Sequence, residues 1–329
     1  IINMKPSKIE ISYKTILFTI FFLIFLWFLV YIRDILFILF ISLIIMSAFK
    51  PLVEKLEKTH IPRIVAILTV YISGLIIIIY VGGTLLPPLI TQSINLGQSL
   101  PKYLETVFPF VSIDTQFITQ QIAPIGENIL KVTLGIFSNL FHIFTIFIVS
   151  FYLLIERRQL ENHLAGFMGI KSAENLLLII KRVEERLGSW VRGQLTLALV
   201  IGIATYIGLL LLGLPFILPL SIIAGALEIV PIIGPIISAI PAILVALTVS
   251  PLLALLTVAL FIIIQQAENH FIVPYVLRKS VGLPPVITIL TLMVGAKLAG
   301  VLGAMLSVPV VVMVETIIAE YSKLKSSKI

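Results

Sequence analysis

The chain has 329 residues, 59% of them hydrophobic and 12% charged, with a mean hydropathy of +1.17. A water-soluble domain keeps about a quarter of its residues charged, so this composition excludes a soluble globular fold and points to an integral membrane protein. The net charge of +7 reads as basic cytoplasmic loops, not as a nucleic-acid surface, and the lack of cysteine excludes disulfides, thiolate chemistry and Cys–zinc sites.

In chain order, residues 15–32 (TILFTIFFLIFLWFLVYI) predict a first membrane helix. The run exceeds the apolar region of a secretion signal and no small-residue cleavage site follows it, so it reads as retained. Further uncharged apolar runs of spanning length lie at 64–86, 134–155 and 195–212, with a shorter one at 35–49. Three longer segments follow: 216–248, 251–275 and 285–319. At a rise of about 1.5 Å per residue, the first and third would overshoot a hydrocarbon core of about 30 Å if straight. The middle one fits a single crossing.

Orientation follows the basic residues. Lys5, Lys8 and Lys14 put the N-terminus inside, and Lys50, Lys55, Lys58 and Arg63 return the chain there. The stretch 88–132, with Lys102 and Lys131 against Glu105, Asp114 and Glu127, goes outside. Residues 156–192, with Arg157, Arg158, Lys171, Lys181, Arg182, Arg186 and Arg192, go inside. For Arg278, Lys279 and the tail lysines Lys323, Lys325 and Lys328 to be cytoplasmic as well, 216–248 and 285–319 must each make an even number of passes. Both read as re-entrant hairpins, entering from opposite faces.

An internal echo supports this: GLP at 213–215 and 282–284 precedes each hairpin, and GPIISAIP (234–241) matches GAMLSVP (303–309). Helix plus hairpin, twice and in opposite orientation, is an inverted repeat of the kind secondary transporters use. The expected fold is all-α and polytopic, with five to six full transmembrane helices plus the two opposed hairpins. The chain divides into a helix pair with a cytoplasmic loop (1–63), two crossings joined by an external amphipathic segment (64–155), a cytoplasmic amphipathic helical segment (156–192), a transport core (193–320) and a basic tail (321–329). In the two amphipathic segments, Leu176, Ile180, Val183, Leu187 and Trp190, and Ile118, Ile122, Ile125 and Ile129, recur at helical spacing. Packing on the bundle or lying in the interface is the plainer use of both stripes; a docking surface for a cytosolic partner is the other.

The chemistry is expected where the first hairpin breaks. Pro231 leaves the carbonyl of Leu227 without its helical donor, and Pro235 does the same to the carbonyl of Pro231. Gly234 supplies permissive backbone between them. Bare carbonyls are tolerated at membrane depth only against protein or a watery cavity. Glu228, in the same stretch, costs about 2.5–3.5 kcal/mol at mid-membrane, which predicts a partner or a proton to carry. Lys297, in VGAKLAGVLG beside Gly300 and Gly303, is one candidate partner, and snorkelling is its rival use. Gln265, Glu268 and Asn269, in QQAENH, can share a helix face, and Glu268 is a second proton carrier. His60, His142, His163 and His270 show no metal spacing, there is no phosphate-binding loop, and no Ser/His/Asp constellation stands out. No cofactor and no metal are expected, and no enzymatic activity.

Residues LEIVPIIGPIISAIPA (227–242), QQAENHFIVPYVLRKSVGLPPV (265–286), VGAKLAGVLGAMLSVPV (294–310) and WVRGQ (190–194) resemble, in order over roughly the last 140 residues, the bacterial autoinducer-2 exporter-like permeases. Glu228, Pro231, Gly234, Pro235, Glu268, Pro274, Gly282 and Pro284 match that pattern. The resemblance implies export of a small hydroxylated furanone signal, or sodium/proton antiport, by a homo-oligomer, a pentamer among the forms, in the bacterial plasma membrane. Three readings follow: a secondary carrier of a small polar solute coupled to protons through Glu228 or Glu268; a cation/proton antiporter using the same site; and a non-transporting scaffold whose 156–192 segment recruits a partner.

Overall fold

The computed structural model describes residues 13–107, 140–276 and 284–326, and every element among them is helical. The expected external stripe Ile118–Ile129, the basic pair 278–279 and Gly282 lie outside the described residues. The helices are α1 (Tyr13–Tyr31), α2 (Arg33–Glu57), α3 (Arg63–Val107), α4 (Leu140–Met168), α5 (Ile170–Leu211), α6 (Ile217–Leu227), α7 (Ile233–Val249), α8 (Pro251–Ala267), α9 (Val273–Val276) and α10 (Pro285–Ser326). Between α8 and α9 the chain makes a π-turn, Glu268–Ile272. Among the described residues, six helices are long and apolar enough to cross a membrane.

Helix α5 is the axis of the bundle, touching α2, α4, α6, α8 and α10. It runs unbroken for 42 residues, so the 170–192 part of the amphipathic segment expected at 156–192 and the crossing expected at 195–212 share one rod, while 156–168 belong to α4. No proline interrupts 170–211, and nothing else forces a stop. Its apolar stripe is not free: Val183, Leu187 and Trp190 pack against Leu292, Val308 and Val312 of α10, together with Ile44 of α2. Lys50, Arg157, Lys181, Arg182, Arg186, Arg192 and Lys323, drawn from three of the basic stretches, meet at one end of the bundle. There Glu184, which the sequence places on the charged side of the stripe, is buried at 2% exposure. It takes Lys50 Nζ at 2.6 Å and Arg157 Nε at 2.5 Å. Lys50, Arg186, Arg192 and Lys323 also line a cavity of about 940 Å³ at that end.

The chain reverses direction between α6 and α7 and again within α10. Leu220 of α6 packs on Ala242, Val245 and Ala246 of α7, residues that a straight helix would carry more than about 30 Å away. Ser250 then starts α8, its hydroxyl accepting from Leu253 N–H at 3.1 Å, with Pro251 in the first turn. In α10 the helix is interrupted at Ala299 (φ −143°) and Gly300 (φ +61°). Beyond the interruption Gly303 lies against Gly295, each so close that a Cβ would run into the other's carbonyl oxygen. Along an uninterrupted helix these two would be about 12 Å apart, so α10 is two arms folded on each other.

Candidate functional site

The site is built at the end of α6. Glu228 follows its last residue, and the chain then turns tightly: Val230 N–H donates to Leu227 O (3.0 Å), Ile233 N–H to Pro231 O (2.8 Å) and Gly234 N–H to Val230 O (2.9 Å). Gly234 packs directly on the carbonyl of Leu227, where a Cβ would collide. The carbonyls of Leu227 and Pro231, expected to stand bare, therefore each accept a backbone hydrogen bond. The break uncovers another carbonyl, that of Glu228 itself, and Gln194 of α5 donates its side-chain amide to it. Pro235 is buried in the first turn of α7.

The Glu228 carboxyl is 1% exposed. That of Glu268 faces it from the π-turn, near enough to share a proton, and is itself 5% exposed. Gln265 Nε2 donates to Glu268 Oε2 at 3.2 Å, while Glu228 Oε2 is buried without any other hydrogen-bond partner. The π-turn that presents Glu268 lies just before Pro274, whose missing N–H frees the carbonyl of His270 and loosens the regular ladder. Among the described residues neither carboxyl forms an ion pair with a basic side chain. Two carboxylates about 4 Å apart repel by roughly 4 kcal/mol even at an effective dielectric of 20, besides their loss of hydration. Together they can bind a proton between them, or an added cation, and release it when the pair is separated or wetted.

The structure thus brings together Glu228, Glu268 and Gln265. Asn269 and Lys297 are exposed, and Lys297 makes no ion pair with Glu228. Gly300 and Gly303 belong to the fold-back of α10, apart from the carboxyl pair. No group of three or more metal-ligating side chains occurs among the described residues. Gln194 was not singled out from the sequence, although an amide inside an otherwise apolar run, next to WVRG, was the signal available.

Comparison with known proteins finds relatives along most of the chain. YueF of Bacillus subtilis (strain 168) is 29% identical over 297 residues, covering 83% of this chain and 80% of that protein. YrrI of the same organism is 27% identical, covering 84% and 83% respectively. The AI-2 transport protein TqsA of Escherichia coli (strain K12) is 24% identical, covering 82% of this chain and 81% of its own length. Residues 16–323 match the family described as AI-2E family transporter, and with six apolar helices of membrane-spanning length the chain belongs to that family of multi-pass membrane transporters.

Proposed function

We propose that this protein is a proton-coupled secondary transporter of a small polar solute, working by alternating access, with the Glu228–Glu268 pair as its proton carrier. One observation carries the reading: two buried carboxyl groups in contact, with no basic partner among the described residues, stand where a helix ends inside a membrane-length segment. Buried acids of that kind mark proton relays in transporters, and broken helices mark their substrate sites. The 11 residues of α6 span about 16 Å, half of a hydrocarbon core of about 30 Å, which supports a re-entrant first hairpin. The arm of α10 before Ala299 is similarly short, which supports a second. The positive-inside bias puts the basic end in the cytoplasm, and with it both termini. The name of TqsA makes AI-2 the first cargo to test.

Cation/proton antiport is the second reading, favoured by the oxygen ligands that Glu228, Glu268 and Gln265 bring together, which suit a hard cation. Proteoliposomes holding a pH-sensing dye separate the two. An AI-2 gradient is expected to drive proton movement, and Glu228→Gln to abolish it while the variant reaches the membrane in normal amount. Proton movement driven by Na⁺ without organic solute selects antiport. Parental kinetics in Glu228→Gln with both drivers would remove the pair from the mechanism.

A further inference from the structure

The stretch WVRGQ, residues 190–194, lies in the middle of α5 and reaches two interrupted helices at once. Pro51 sits inside α2 and has no N–H to offer the carbonyl of Ser47. Arg192 Nη1 fills that vacancy, lying 3.4 Å from Ser47 O and 3.2 Å from Ala48 O. Two residues on, the buried Gln194 donates to Glu228 O, left over at the end of α6 because the chain turns away there. Residues two apart on a helix point about 200° apart, so Arg192 faces α2 and Gln194 faces α6. Two carbonyls that proline and the helix break leave bare, a costly state away from water, are each satisfied from the same turn of α5.

We infer that Gln194 is a positioning residue for the Glu228–Glu268 pair, and that with Arg192 it forms one clasp tying α2 to the broken end of α6. This deepens the transport reading above and rests on it. The identity of the side chain fits the task. An amide donates a hydrogen bond without adding charge, so it anchors the backbone of Glu228 and leaves the carboxyl pair un-neutralised, whereas a lysine or arginine there would make an ion pair with it. Among the described residues no other charged group competes: Arg192 is engaged on the far side of α5, Glu184 is occupied by Lys50 and Arg157, and Lys297 and His270 are exposed.

Dicyclohexylcarbodiimide, which modifies protonated carboxyl groups in apolar surroundings, tests this on the purified full chain without knowledge of the cargo. Its incorporation at Glu228 and Glu268 is followed by peptide mass across a pH series. In Gln194→Met, which keeps the volume and removes the donor, the carboxyls drift apart and become hydrated. The labelling profile is expected to move toward acid by about one pH unit, with the melting temperature close to the parent's. Gln194→Asn, an amide of shorter reach, is expected to recover part of that displacement, and it carries the test alone if the methionine variant fails to assemble. Profiles superimposable on the parent's in the assembled variants, or a lower melting temperature with an unmoved profile, overturn the inference and leave the transport reading intact. Parental labelling that ignores pH at both carboxyls overturns the transport reading itself.

Discussion

At Ile232 the backbone takes φ +71° and ψ −51°, with the Ile233 N–H closing on Pro231 O two residues back. This is the rarer, strained form of the γ-turn, and a β-branched residue is poorly suited to positive φ. Such conformations cost about 1–3 kcal/mol and persist where the surrounding structure imposes them. Ile232→Gly is therefore expected to stabilise the purified protein by about 1 kcal/mol, seen as a higher melting temperature; an unchanged or lower one would argue against strain at this tip. Glu184 presents the opposite case. Buried and holding both Lys50 and Arg157, it joins α2, α4 and α5, and its loss leaves two cations facing each other. Glu184→Ala is expected to destabilise by about 3–5 kcal/mol, measured by thermal melting. Neither residue was conspicuous in the sequence, unlike Glu228, a carboxylate in an oily stretch with no bland use. Glu184 was hidden by its neighbours: among Lys181, Glu185 and Arg186 it looks like one more solvated charge, and only the approach of α2 and α4 buries it.

Breaks proved easier to read than continuities. Pro231, Gly234 and Pro235 disrupt the helical ladder by their own chemistry, so the interruption between α6 and α7 was legible to within a few residues. The reversal of α10 was legible from excess length, since a straight helix of 42 residues would be about 63 Å long. The unity of α5 was not. Charge changes along it from basic to apolar, which marks a change of surroundings, while the backbone has no reason to stop. The freed carbonyls were assigned to the wrong residues for a related reason. Proline removes a donor from the residue four back, but a chain free to turn tightly re-satisfies that carbonyl locally, and the vacancy moves to Glu228.

For the molecule as a whole, the sidedness of the two hairpins is the feature that organises any account of transport. The chain has no cysteine of its own, so Ile233→Cys and Val301→Cys can be probed singly with a membrane-impermeant thiol reagent. Both positions are exposed at their tips, at 40% and 76%. Hairpins entering from opposite faces predict labelling of the first from outside and of the second from inside; labelling of both from one face would rule that arrangement out. Of the stripe on which the scaffold alternative rests, Leu176 to Trp190, the part Val183–Leu187–Trp190 is covered by α10, while Leu176 and Ile180 are half-buried.

The contact between Gly295 and Gly303 limits how the two arms of α10 can move against each other. With each peptide oxygen seated against the other arm's naked α-carbon, and the β-carbons of Ala299 and Ser307 close beside them, sliding one arm past its mate would drive oxygen into backbone. Such an element would move as a paddle, its compliance left to the joints at its ends.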